Sequence, residues 1–241
     1  MILRTTLTAV AALSIAGSAS ATTFSYDLVL NPLNNSGVTG SGSFVIDTTA
    51  NTLTANVRAS GLEPNMMHEQ HIHGRSENGS PIDSNSPDLS DDADGDGFVE
   101  LAEGQTQYGP ILVELEDTMG NYPTAPDGSF DFSRIFDLAD EETFAGDFGI
   151  TDLLGSGDRP ALELREVVIH GLTLEEGQGA NGGEADGTAG YKGFLPVASG
   201  EITVAESLSP APVPLPAAGW LMLAGFGGLG ALRARRKSAK T

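Results

Sequence analysis

The four histidines of the chain are spaced so that they could bind a transition metal. His68, His71 and His73 lie within six residues, and His170 ends an apolar segment. In a β-strand, side chains two residues apart point to the same face, so His71 and His73 can chelate one ion. Imidazole nitrogens suit copper and zinc. We predict that His71, His73 and His170 converge on copper or zinc, with His68 as a candidate fourth ligand. The alternative is hydrogen-bonded structural histidines near a strand end.

The acidic segment at residues 92–103, the calcium-type loop, has the spacing of an EF-hand calcium loop. Acids stand at positions 1, 3, 5, 9 and 12 of that 12-residue pattern, a glycine stands at position 6, and position 7 offers a carbonyl. Carboxylates crowded on one loop repel one another unless a divalent cation lies among them. The predicted ligands are Asp92, Asp94, Asp96, Phe98, Glu100 and Glu103.

The calcium-type loop lacks the entering helix of an EF-hand. Residues 83–90 contain Pro87 and no apolar stripe, so no helix is predicted there. We therefore expect a calcium loop inserted in a β domain, where calcium orders the segment between His73 and Tyr108. The alternative is a solvated acidic turn without metal.

The segments around these residues have the patterns of β-strands. At residues 53–59, apolar and polar side chains alternate with the period of a strand that has one face in a core. The 31 glycines and 13 prolines favour turns over long helices. We predict an all-β fold, a Greek-key sandwich or barrel with long acidic loops. Candidate strands lie at 24–30, 42–46, 53–59, 70–73, 111–115, 129–136, 162–170 and 200–205, with a short helix around 138–144 and an acidic loop at 175–188.

The composition excludes several functional classes. Without cysteine, the chain has no disulfide scaffold and no thiolate metal site. With 33 acidic and 12 basic residues, its formal net charge is −21, which argues against nucleic-acid binding. We find no glycine loop followed by lysine for nucleotide phosphates and no Ser–His–acid pattern.

The N-terminal 21 residues have the three parts of a secretory signal peptide. Arg4 gives a positive start, residues 7–15 are mostly apolar, and Ala19-Ser20-Ala21 is a small-residue cleavage site. We expect an exported chain that starts near Thr22, with one β domain at residues 22–206.

The C-terminal segment has a proline-rich spacer at 207–216, an uncharged apolar helix at 217–232 and a basic tail at 233–241. It resembles the PEP-CTERM class of sorting signals, in the VPLPA variant of Gram-negative bacteria. The resemblance implies that an exosortase-type enzyme recognises the tail at the inner membrane. The protein would then reach the cell surface or extracellular matrix. The alternative is a plain tail anchor, with the same topology. The matching residues are Val213, Pro214, Leu215, Pro216 and Ala217.

Removing the two ends changes the charge of the domain. The ends hold six of the basic residues and none of the acidic ones, so residues 22–206 carry six basic against 33 acidic side chains. Their formal net charge of −27 must be hydrated or partly neutralised by cations.

The run from Gly42 to Gly74 resembles the CHRD domain, which has been related to the β-barrel of Cu/Zn superoxide dismutase. His71-Ile72-His73 and residues 167–170 are similar to the two copper motifs of the dismutase. Residues 187–202 loosely resemble its closing segment. The resemblance implies a dismutase-like barrel with copper ligands at His71, His73 and His170.

The chain also departs from the dismutase pattern. No histidine lies between Gly74 and Arg165, so the bridging histidine and the zinc ligands have no counterparts, and the disulfide is missing. Lys192 stands near the place of the guiding arginine, whose rigid fork a lysine does not reproduce. The negative charge would repel superoxide. We therefore expect a non-enzymatic surface or matrix protein that binds calcium, with a transition metal as an option. The alternative is a copper-dependent oxidoreductase related to superoxide dismutase.

Overall fold

The structure is a computed structural model that describes residues 22–179 and 182–205. The predicted signal peptide (1–21), spacer (207–216), sorting motif (213–217), apolar helix (217–232) and basic tail (233–241) lie outside the described residues. Among the described residues, no helix has the length and apolar character needed to cross a membrane.

Strands dominate the described chain, and every pairing between them is antiparallel, which confirms the all-β prediction. Their order in the sheet is β5-β4-β8-β9-β1-β2-β3-β7, and β6 pairs with β4. The strands are β1 Thr23–Pro32, β2 Thr39–Asp47, β3 Thr52–Ser60, β4 Gln70–Glu77, β5 Ser80–Ile82, β6 Ile111–Glu114, β7 Ser129–Asp137, β8 Arg165–Leu174 and β9 Gly190–Val204.

Two short α-helices lie between strands, α1 at Leu101–Tyr108 and α2 at Ile150–Leu154, and neither was expected from the sequence. The short helix expected around 138–144 is present only as the three-residue 3-10 turn Glu141–Thr143. The Asp140 carboxylate caps the start of this turn by accepting from the N–H of Glu142, and the Thr143 hydroxyl donates to the Asp137 carbonyl. The strand expected at 162–170 starts later, after the 3-10 turn Leu162–Leu164, and the strand expected at 200–205 starts ten residues earlier.

One hydrophobic core joins the two ends of the strand order. Leu28 of β1, Phe44 of β2 and Val57 of β3 belong to the same buried cluster as Ile72 of β4 and Val167 of β8. Strands far apart in the sheet order share that cluster, so the sheet folds over on itself as in a β-sandwich or barrel. Fully burying each such side chain contributes about 2 kcal/mol.

The opposite face of β4 and β8 is buried as well, and it positions the histidines. Ile72 faces the core, so the alternation of a strand turns His71 and His73 to the other side of β4. The long connection between β5 and β7 covers this face, where the ring of Tyr108 contacts His73 and the ring of Tyr122 contacts His71.

The buried guanidinium of Arg165 ties this region together. It has no exposed surface, and burial lowers its pKa to about 10, so it remains charged at neutral pH. Its nitrogens donate to five backbone carbonyls from β4, β5, α2 and the turn before β8. These are the carbonyls of Leu153, Asp152, Arg75, Ile82 and Leu164.

We expect Arg165→Met to lower the free energy of unfolding by about 3 kcal/mol or more, because buried carbonyls lose their donors. Denaturation in urea measures the change. Arg58→Met is the matched control, since Arg58 forms an ion pair with Asp131 in which both side chains are at least 75% exposed. It should cost less than about 1 kcal/mol. Equal, small effects of the two changes would contradict the role given to Arg165.

Candidate metal centre

The structure brings together three of the four predicted histidines. One ring nitrogen from each of His71, His73 and His170 lies within 4.8 Å of those of the other two. The ring centroids are 5.2 Å apart for His71 and His170 and 6.3 Å apart for His73 and His170. The register of β4 and β8 explains this, because His71 lies opposite Val168, two residues before His170 on the same face.

Backbone carbonyls fix the rings of His73 and His170. The Nδ1 atom of His73 lies 2.9 Å from the Gly109 carbonyl oxygen, and the Nδ1 atom of His170 lies 2.7 Å from that of Phe194. A carbonyl can only accept, so both Nδ1 atoms carry the proton and both Nε2 atoms keep a lone pair. Both Nε2 atoms are buried and have no hydrogen-bond partner.

His71 is oriented the other way round. Its Nε2 atom lies 2.9 Å from a carboxylate oxygen of Glu114 and 3.0 Å from the hydroxyl of Tyr122. Its Nδ1 atom is buried and has no hydrogen-bond partner. The cluster therefore offers one Nδ1 and two Nε2 atoms, each held by a contact of the ring's other nitrogen.

Burial keeps His73 and His170 uncharged. His71, His73 and His170 are at most 3% exposed. Burial, followed by the neighbouring His71, lowers the pKa of His170 to about 3 and the pKa of His73 well below its ordinary value. Neutral imidazoles are the form that binds metals. Without a cation, each buried nitrogen that lacks a partner costs about 1–3 kcal/mol.

His68 does not join the cluster, which corrects the expectation of a fourth histidine ligand. Its Nδ1 atom lies 2.9 Å from the carbonyl oxygen of His170, and its Nε2 atom lies 3.1 Å from that of Glu63. Both nitrogens therefore face acceptors rather than the cluster. The side chain has a structural role, which is to hold the backbone at His170.

Three aspartates of the calcium-type loop also come together. One carboxylate oxygen from each of Asp92, Asp94 and Asp96 lies within 4.8 Å of those of the other two. The Asp92 carboxylate accepts from the N–H groups of Gly95 at 2.7 Å and Gly97 at 2.8 Å, which folds the loop around it. Burial raises the pKa of Asp96, and the charges of the neighbouring carboxylates add to the rise.

The other predicted calcium ligands are arranged differently. The Glu103 carboxylate accepts from Ala93 at 2.7 Å and from Glu100 at 2.9 Å, which closes the loop. Phe98 donates its N–H to Asp96 at 2.9 Å. The Glu100 carboxylate does not belong to the group of three aspartates; it accepts from the N–H of Ala185 at 2.6 Å and is only 6% exposed.

Helix α1 connects the calcium-type loop to the histidines. It begins inside the loop, after Glu100, and ends at Tyr108. The ring centroid of Tyr108 lies 4.4 Å from that of His73, and the next residue, Gly109, supplies the carbonyl that binds the Nδ1 atom of His73. One end of the helix thus belongs to the loop and the other to the histidine cluster.

Sequence reasoning missed three polar residues at this centre, Glu114, Tyr122 and Glu166. Single acids stand in the otherwise apolar segments 111–115 and 166–169, and this signal could have indicated Glu114 and Glu166. Nothing in the local pattern around Tyr122 indicates its contact with His71.

The CHRD domain profile matches residues 19–145. The chain belongs to the CHRD family. A search of curated proteins finds no match. The CHRD match includes His71, His73 and the calcium-type loop but ends before His170. Because β9 pairs with β1 and β8 pairs with β4, the sheet of this CHRD protein continues beyond the match to Val204.

A buried carboxyl group, Glu166, lies opposite His73 across the pairing of β4 and β8. One of its oxygens accepts from the Ser86 hydroxyl, and the other is buried without a hydrogen-bond partner. Burial raises its pKa to about 8. The folded chain therefore keeps a proton here that the unfolded chain releases above its ordinary pKa of 4.5.

This difference predicts that Glu166 makes the metal-free protein less stable as the pH rises. The stabilisation that the protonated Glu166 gives the folded chain is fully present below about pH 4.5. It falls by about 1 kcal/mol per pH unit as the pH rises to about 8. Glu166→Gln stays neutral and should remove this part of the slope. Urea denaturation at pH 5 and pH 8, with a chelator present, compares the two proteins. Equal slopes would contradict a buried, protonated Glu166.

Proposed function

We propose that this CHRD protein is an exported, surface-sorted metal-binding protein. It holds one copper or zinc ion at His71, His73 and His170 and a calcium ion in the calcium-type loop. One observation carries the proposal, namely that one ring nitrogen from each of three buried histidines lies within 4.8 Å of the other two, and each ring has one buried nitrogen without a protein partner. A cation among them offsets the cost of burying three lone pairs.

The donor set fits copper or zinc better than calcium or magnesium. Imidazole nitrogens suit copper and zinc, whereas calcium and magnesium prefer oxygen ligands. The hydrogen bonds to Gly109, Phe194 and Glu114 provide the outer contacts that typically orient metal-binding histidines. The three side chains would bind the ion directly, and their partners would fix the rings.

The role we propose for the metal is structural rather than catalytic. The three histidines are almost fully buried, and Tyr108, which covers His73, has no exposed surface. Lys192, near the place of the dismutase's guiding arginine, is held by Asp186 at 2.6 Å and Thr188 at 2.9 Å. Together with the negative charge, this leaves little to attract an anionic substrate.

The second candidate is a copper-dependent oxidoreductase related to superoxide dismutase. It is favoured by the three converging imidazoles and by the likeness of their two sequence motifs to the copper motifs of that enzyme. The bridging histidine and the zinc ligands have no counterparts in this sequence, so the candidate remains second. A shared architecture does not carry the activity with it.

We assign the calcium ion a structural role in the same region. Calcium would neutralise the repulsion among Asp92, Asp94 and Asp96, and Glu103 would hold the loop to the start of α1. Because α1 ends at Tyr108, whose ring contacts that of His73, an ordered loop would also stabilise the histidine cluster. A weak site, with a dissociation constant of about 10⁻⁴ to 10⁻³ M, would suffice outside the cell.

The proposal of export rests on the sequence of the two ends. The signal at 1–21 directs the chain across the inner membrane of a Gram-negative bacterium, and the segments at 207–241 act as the sorting signal for an exosortase-type partner. The domain then functions at the cell surface or in the extracellular matrix, where its charge of −27 keeps it hydrated.

Metal analysis of the purified protein tests the histidine site. We expect about one copper or zinc per chain that resists dialysis, and a loss of affinity of about 100-fold or more in His170→Ala, because one of three ligands is removed. Glu77→Gln, at the exposed end of the strand that carries His71 and His73, is the control and should keep its metal. A wild type without bound metal, or equal losses in both variants, would contradict the site. Superoxide consumption by the copper-loaded sample distinguishes the two candidate functions.

Calorimetry and thermal unfolding test the calcium site. We expect calcium to bind the wild type at millimolar concentration or below and to raise its Tm, because only the folded loop holds the ion. Glu103→Gln should lose both effects, since this residue closes the loop. Glu142→Gln removes the same charge at an exposed position and should keep both. Calcium that neither binds nor shifts the Tm of the wild type would overturn this part of the proposal.

A further inference from the structure

His71 differs from the other two histidines in what holds its outer nitrogen. Backbone carbonyls hold His73 and His170, but a carboxylate and a phenol, those of Glu114 and Tyr122, hold His71. The outer contact of His71 is therefore the one in this cluster that depends on the identity of side chains.

The fold places Glu114 firmly beside His71. Glu114 ends β6, and the pairing of β4 with β6 sets it directly opposite His71. Tyr122 donates its hydroxyl hydrogen to the same carboxylate oxygen that approaches His71. Two donors, the Tyr122 hydroxyl and the His71 ring, thus converge on one oxygen of Glu114. The group is therefore a carboxylate, which only accepts hydrogen bonds.

Tyr122 acts on Glu114 and also covers the contact. The phenol hydroxyl has one proton to donate. That proton goes to Glu114, and both neighbours of the Nε2 atom of His71 are then acceptors. Tyr122 also lines a surface pocket with Met67 and Phe132, and its ring packs edge-on against that of His71.

We infer that Glu114 is the positioning residue that makes Nδ1 the metal-binding atom of His71, and that Tyr122 holds Glu114 in place. The inference rests on the proposed metal site. Two acceptors require that the Nε2 atom of His71 carries the proton, which leaves the lone pair on Nδ1. The carboxylate also increases the basicity of the imidazole, so it strengthens the bond to the metal.

Zinc binding and nitrogen NMR of the full chain test this inference. In the zinc-loaded protein, long-range proton–nitrogen spectra should show His71 bound through Nδ1 and the other two histidines through Nε2. Glu114→Leu should weaken zinc binding by about 10- to 100-fold, as is typical when an outer contact of a ligand is lost. Glu114→Gln keeps an accepting oxygen, so it should retain binding through Nδ1 with a smaller loss. Tyr122→Phe should fall between wild type and Glu114→Leu.

The control is Glu77→Gln, which removes a charge at the exposed end of the same strand as His71 and should match wild type. Unfolding of the metal-free variants distinguishes a loss of zinc affinity from a failure to fold. If Glu114→Leu is unstable, the zinc affinity of Tyr122→Phe tests the inference in its place. Equal zinc affinity in wild type, Glu114→Leu and Tyr122→Phe, or His71 bound through Nε2, overturns this inference alone. A wild type that binds no zinc overturns the proposed function and, with it, the inference.

Discussion

Three imidazole nitrogens are buried side by side without protein partners, and this constraint determines much of the structure around them. Buried polar atoms in folded proteins are nearly always hydrogen-bonded, so the arrangement is costly unless a cation is present. Many contacts of the fold maintain this arrangement of the three rings. The register of β4 and β8 aligns the rings, α1 closes over His73, and β6 brings Glu114 to His71.

The region around the histidines is built from unusual polar burial as well as from apolar packing. Arg165 binds five carbonyls with no exposed surface, and Glu166 is buried opposite His73. On the other face of the same strands, an ordinary apolar core joins the two ends of the sheet order. The apolar core provides the hydrophobic stabilisation of the fold. The polar face suggests a metal site, because buried polar groups require specific partners.

The sequence predicted the strands and the histidine convergence because both follow from the period of two in β-structure. His71 and His73 share a face in any strand, and His170 ends an apolar segment that pairs beside them. The contacts of Tyr122 and Gly109 with the histidines were beyond reach, since these two residues lie in irregular connections whose path depends on tertiary contacts. Helix α1 was missed for a similar reason, as it is short and is stabilised by its contacts with the loop and with His73. His68 was misassigned because spacing alone does not show which acceptors a ring nitrogen faces.

X-ray absorption at the metal edge tests the central claim most directly. We predict about three imidazole nitrogens at roughly 2.0 Å from bound copper or zinc, with the outer-shell scattering that is typical of histidine rings. Substitution of His170 should reduce that number by one. A shell of oxygen atoms only, unchanged by the substitution, would place the ion on the acidic loops instead. That result would contradict the account of the histidine cluster as a metal centre.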